Sequence, residues 1–88
     1  STAREVIDVS GAVGLIQPDI SNAWVGTSVG AIEERLDVRV AWISRGTSAL
    51  VPHSTTILQE HDRLHLAVAT EELVAVQRAL SRPPVEEV

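Results

Sequence analysis

The chain contains no cysteine, lysine, methionine, phenylalanine or tyrosine. Without cysteine there is no disulfide framework, no thiolate metal site and no sulfur nucleophile. Without lysine, every basic residue is an arginine (positions 4, 35, 39, 45, 63, 78 and 82), and a phosphate loop of the lysine-bearing kind is excluded. Long apolar runs are missing as well: nothing approaches the roughly 20 residues that a membrane-spanning helix needs. Direct membrane insertion is therefore not expected, and the chain reads as a soluble domain. Positive charge is scarce, with seven basic residues against twelve acidic ones and a net charge of −5. Nucleic-acid binding needs several phosphate-neutralising cations on one face, so no nucleic-acid partner is expected.

What remains is an aliphatic protein. Hydrophobic residues make up 44% of the chain and charged residues 22%, the balance of a folded domain and not of a disordered segment. Valine, leucine, isoleucine and alanine supply the core volume, with only two tryptophans. Eighty-eight residues suffice for one domain and not for two. A chain of this size buries only about 60–65% of its unfolded surface, so its stability alone is marginal and self-association or attachment to a larger assembly is expected.

Periodicity gives the elements. Residues 4–9 form a short strand ending at Ser10-Gly11, and residues 13–20 a second, weakened by Pro18, which favours a sheet edge. The two can pair as a hairpin. Trp24 stands in a loop. Thr27 or Ser28 caps a helix to about Leu36 with Val29, Ile32 and Leu36 as its buried stripe, although Gly30 is a poor helix residue. Residues 38–44 read as a central strand covered on both sides, with Val38, Val40 and Trp42 on one face and Ala41 and Ile43 on the other. A turn through Arg45-Gly46 leads to a strand at 49–51, stopped by Pro52. The last strand alternates Leu64, Leu66 and Val68 with Arg63, His65 and Ala67. Thr70 then caps a helix whose buried stripe is Leu73, Val76 and Leu80, ended by Pro83-Pro84. The order is β-β-α-β-β-β-α. Two helices cannot sit between every strand pair, so the fold class is α+β with a mixed or antiparallel sheet, a single small domain over residues 1–82 and a flexible tail over 83–88.

Catalytic chemistry is hard to find. His61 and His65 lie four apart in a strand, roughly 13 Å along it, which does not make a metal-ligand pair. The carboxylate pairs Glu33-Glu34, Glu71-Glu72 and Glu86-Glu87 are sequence neighbours that diverge from their helix or tail. No serine has an elbow or a His-Asp relay. The chain is not expected to be an enzyme, and neither a metal nor a cofactor is expected in it. Two features stand out. Trp24 is either a core residue or an interface anchor. Arg35, Arg39 and Arg45 bracket the strand at 38–44, either as solvated surface or as guanidinium forks for a phosphate or carboxylate.

From Trp24 onward the order of elements resembles a known family. The segment WVGTSVGAIE, the strand VRVAWISRG ending in Arg-Gly, and LVP followed by TTILQEHDRLHLAVATEELVAVQRAL are similar to the RCK-C, or TrkA-C, domain, its actinobacterial members in particular. The likeness covers residues 24–80, and residues 5–20 fit the preceding strands. The resemblance implies a regulatory role: such domains follow a nucleotide-binding Rossmann (RCK-N) domain in cytosolic subunits that gate Trk- or Ktr-type potassium transporters. The implied partners are a second copy of the chain, a membrane potassium-transporter subunit and a small nucleotide-type ligand. The nucleotide cofactor site would lie in the RCK-N domain, whose Gly-rich strand-turn-helix is not among these residues. The implied location is the cytoplasm, at the inner face of the membrane through the transporter. An alternative is a docking or assembly module of a cation antiporter or other transporter that senses nothing. Some relatives bind cyclic di-AMP through an arginine on the helix, an Asn pair entering the central strand and a proline after the next strand. By position these fall on Arg35, on Asp37 to Arg39, and on Pro52; here Asp37-Val38-Arg39 replaces the Asn pair. Trp24 and Ile43 are the implied interface residues.

Overall fold

Five strands and two helices make up the computed structural model, which describes residues 3–85 and, for side chains, residues 6–85. The strands are β1 (Ala3–Ile7), β2 (Val13–Gln17), β3 (Arg39–Arg45), β4 (Ser48–Leu50) and β5 (Arg63–Ala69). The helices are α1 (Val29–Leu36) and α2 (Leu73–Leu80), and single 3-10 turns span Asn22–Trp24 and Thr70–Glu72. The sheet order is β1-β2-β5-β3-β4 and every pairing is antiparallel. The fold is α+β in the expected element order. β3 is an inner strand as expected, paired to β5 and β4, although β5 holds the middle place; it is not covered on both sides, because the helices pack against one face only. Pro18 also sits differently from its expected place: β2 ends at Gln17, one residue earlier, and lies between β1 and β5, so the proline removes no donor from the ladder.

Both helices lie on one face of the sheet. Leu64, Leu66 and Val68 of β5 point there with Ile16 of β2 and Val40 and Ile43 of β3, meeting Val29 and Ile32 of α1 and Val76 and Leu80 of α2 in one buried cluster. Leu36 and Leu73, the third members of the two expected helix stripes, pack against that cluster partly buried.

The faces of β3 differ from simple alternation, and a bulge is the reason. Val40 pairs with Leu66 and Trp42 with His65, leaving Ala41 without a place in the register. An extra residue on one strand turns everything beyond it to the opposite face. Trp42 therefore leaves the face of Val40, and Ile43 joins it instead. On the open face the Trp42 and His65 rings stack, with centroids 4.1 Å apart and 13° between planes. The Ser44 hydroxyl lies 2.8 Å from His65 Nε2. His65 is thus buried under a tryptophan and is not an outward, solvated histidine.

Ser28 caps α1, its hydroxyl accepting from the Ala31 N–H at 3.1 Å. The loop after β4 supplies the rest of that helix start: Val29 N–H donates to Thr56 O at 2.8 Å and Gly30 N–H to Ser54 O at 2.9 Å. These satisfy first-turn donors that a helix cannot satisfy itself. The close approach explains Gly30, because a Cβ there would stand 3.0 Å from Ser54 O. Asp37 ends α1 in the left-handed conformation (φ 52°). Glu33 on α1 then ties the helix to the sheet by accepting the Val40 N–H at 2.9 Å.

The start of α2 corrects an expectation. Thr70 opens a 3-10 turn and does not cap the helix; its hydroxyl donates to Gly11 O and its N–H to Ala12 O, fastening the β1–β2 hairpin to the end of β5.

Candidate functional site

The C-terminal end of α1 and one face of α2 enclose a groove of about 500 Å³. Two periodicities in α2 create it. Val76 and Leu80 face the core, while Ala75, Arg78, Ala79 and Arg82 follow at the i, i+3, i+4, i+7 spacing of an adjacent face. The alanines keep that face low and Arg78 and Arg82 flank it. Leu36, Pro83 and the buried Trp24 complete the apolar surface, and Arg35, in the last turn of α1, brings a third guanidinium.

Two hydrogen bonds fasten the chain beyond α2 along this groove. Trp24 Nε1 donates to Arg82 O at 2.7 Å, and Arg35 Nη1 donates to Val85 O at 3.2 Å. Residues 83 to 85 of the expected tail therefore lie between two fastened carbonyls, Arg82 O and Val85 O, whereas 86–88, with the Glu86-Glu87 pair, lie outside the described residues. Among the described residues, no acidic side chain lines the groove. Among the described residues, neither the Arg78 nor the Arg82 side chain has a hydrogen-bonding or carboxylate partner.

The residues anticipated from sequence separate into several places. Arg35 belongs to the groove, but Asp37, Arg39 and Pro52 do not line it. Asp37 is exposed at the α1–β3 junction, and Arg39, one residue into that approach, donates to Val38 O at 2.9 Å. Pro52 follows β4, which runs antiparallel to β3, so the chain there is heading back toward the start of β3. Arg45 is occupied elsewhere: its Nε and Nη2 bond Asp62 Oδ1 and Oδ2 at 2.9 and 2.8 Å. Asp62 Oδ2 also accepts the Gln59 N–H at 2.9 Å. Burial alone would raise the Asp62 pKa, but the guanidinium and the backbone donor outweigh it and hold the carboxyl below the usual range. The arginine trio of the sequence is therefore three separate local arrangements. Trp24 (2% exposed) and Ile43 (0%) are interior residues of the single chain.

Arg78 and Arg82 are the site residues that sequence reasoning passed over. Their signal was present as an i, i+4 arginine pair offset from the Val76/Leu80 stripe, and it gains meaning only when Arg35 arrives from α1.

Comparison with known proteins fits this architecture. The crystal structure of the GsuK RCK domain superposes with a TM-score of 0.73 at 22% identity, covering 96% of this chain and 19% of that one. The GsuK channel bound to NAD gives 0.71 at 23% identity, covering 99% and 16%. Among curated proteins, the Trk system potassium uptake protein TrkA of Streptomyces coelicolor is 38% identical over 80 residues. That match takes in 91% of this chain and 36% of the relative, so the chain spans about a third of that protein's length. The TrkA-C domain family matches residues 17–81. With the family pattern running through residues 17–81, most of the chain, the chain belongs to the TrkA-C domain family.

Proposed function

We propose that the chain is the regulatory domain of a Trk- or Ktr-type potassium-transport system, acting in the cytoplasm beside the membrane subunit it controls. The observation that carries this reading is the 38% identity to TrkA, a potassium uptake protein by name, over nearly the whole chain. Among the described residues no helix is long and apolar enough to cross a membrane, so contact with a membrane subunit would be made through protein surface. Mechanistically, two copies associate, and a small ligand binds one dimer geometry better than another. A ligand can shift such an equilibrium only by its differential affinity for the two geometries. The apolar residues left exposed, among them Val6, Val13, Val51 and Ile57, supply the contact surface, with Trp24 and Ile43 supporting it from inside. Arg35, Asp37, Arg39 and Pro52 remain the proposed ligand residues, with any nucleotide cofactor held by a separate Rossmann domain.

A second reading, a docking module of a cation antiporter or other transporter without a ligand, is favoured by Asp37. An exposed carboxylate at the α1–β3 junction opposes a phosphate there. Sedimentation equilibrium with and without cyclic di-AMP and other adenine nucleotides separates the two. A dimer tightened by one nucleotide supports the sensor. A dimer indifferent to all of them leaves the docking module, and a monomer at every concentration overturns the dimer mechanism.

A further inference from the structure

We infer that the groove between α1 and α2 is a binding site for a small organic phosphate, its phosphate held by Arg78, Arg82 and Arg35 and its apolar body laid on the alanine face of α2. This site shares Arg35 with the ligand residues proposed above but none of Asp37, Arg39 and Pro52, and it does not depend on dimerisation.

Charge is the first observation. The chain carries twelve acidic residues and seven arginines, yet three of the seven converge on one groove that, among the described residues, no acidic side chain lines. Elsewhere an arginine is used internally: Arg45 is clamped by Asp62. Helix dipoles account for Arg35 and Arg78 singly, since each sits in the last turn of its helix. They do not account for Arg82, which lies beyond α2. Nor do they account for the absence, among the described residues, of any carboxylate beside the three.

Shape is the second. The groove, at about 500 Å³, is of the size that holds a small molecule. Its floor is apolar, and its polar groups are almost all guanidinium. Guanidinium forks match phosphate oxygens in pairs, and three of them balance a dianion with one cation over. Inorganic phosphate alone would leave the alanine face wet, and a neutral aromatic would leave the cations unmatched. The occupant that satisfies both halves carries a phosphate on an apolar body.

The protein contains its own reporters. Trp24 lines the groove, and its indole N–H is already fixed on Arg82 O; Trp42 stacks on His65 on the open face of the sheet. In a 15N-labelled sample these two indole signals report opposite sides of the molecule. Phenyl phosphate is the probe, with inorganic phosphate and phenol as its separate halves, at low ionic strength and mildly alkaline pH. The expected result is a saturable shift of the Trp24 indole N–H with phenyl phosphate, a weaker one with either half, and none at Trp42. Replacing both groove arginines (Arg78→Gln with Arg82→Gln) is expected to weaken binding about tenfold or more, the loss of charge-assisted hydrogen bonds. Both side chains are exposed and the Trp24 bond goes to the Arg82 backbone, so the variant is expected to fold, which its Trp42 and amide spectrum verifies. Arg63→Gln removes one positive charge, against two in the groove variant, from an exposed site outside the groove and is expected to change binding less than about twofold, a screened long-range effect. An equal loss in Arg63→Gln, or shifts spread over both indoles, overturns the site as general electrostatics. Absence of any Trp24 shift into the range of about 10 mM overturns it outright. A glutamate-rich peptide that shifts Trp24 at lower concentration than phenyl phosphate also overturns it, showing the groove to be a peptide site.

Discussion

The two faces of the sheet are made from alternating residues of the same strands, yet they obey different rules. On the covered face, Leu64, Leu66, Val68, Ile16 and Ile43 are aliphatic, almost wholly buried and roofed by two helices. On the open face, Trp42 and His65 lie flat on each other with Ser44 at the histidine edge, while Val6 and Val13 stay 61% and 47% exposed. The covered face is held by removal of apolar area from water, which tolerates no missing volume. The open face carries the Trp42–His65 stack and the Ser44–His65 hydrogen bond, and apolar side chains such as Val6 and Val13 remain exposed on it. A chain of 88 residues that finishes only one side of its sheet has placed its stability on one side and left surface on the other.

Truncation separates the faces most sharply. Leu66→Ala, in the middle of the central strand and fully buried, is expected to cost about 2–5 kcal/mol, read as a lower urea midpoint at unchanged slope. For so small a domain this approaches the whole stability. A value under about 1 kcal/mol would mean that the covered face is not the main source of stability.

Next in size is Asp62→Asn, in the loop that leads into β5. Asp62 is fully buried, accepts three hydrogen bonds and faces Arg45, so its neutralisation is expected to cost about 1–3 kcal/mol. The pH dependence follows from the direction of its pKa. Because the folded value lies below the unfolded one of about 3.9, the contribution is complete above that pH and is lost as pH falls through the folded value. Asp8, lowered by the Ser10 hydroxyl and N–H, acts in the same direction. Urea midpoints between neutral pH and pH 3 are thus expected to fall below about pH 4, and less steeply in Asp62→Asn. Identical acid limbs in the two proteins would remove Asp62 from the account.

Trp42→Leu tests the open face. Loss of the ring stack is expected to cost about 1 kcal/mol and to leave His65 exposed, seen as a histidine NMR shift toward solvent values. A loss as large as that of Leu66→Ala would erase the distinction between the faces. Smallest of all, Val13→Thr on the open face is expected to change stability by less than about 0.5 kcal/mol.

Much of the fold was legible because local signals agreed. The stripe Val29, Ile32 and Leu36 placed α1, and the alternation of Leu64, Leu66 and Val68 placed β5, since burial on one face imposes a period that composition alone reveals. Thr70 was misread because a threonine before two glutamates has the composition of a cap, and only the nearness of Gly11 makes its hydroxyl bond elsewhere. Trp42 was put on the wrong face because a bulge has no reliable residue signature. The cover of His65 went unseen for the same reason, since it comes from the residue that the bulge displaced. Of the candidate site, Arg35 was singled out and Arg78 and Arg82 were not, because a helix-surface arginine has an ordinary solvated reading until its neighbours are known.

The sequence by itself determined the element order, the aliphatic stripes and the family pattern through residues 24–80, because these depend on spacing along the chain. Tertiary structure alone decided which strand is central, where β3 bulges, why Gly30 has no side chain and which arginines share a groove. Each of those depends on the distance between residues far apart in sequence, and that distance is fixed only when the helices settle on the sheet.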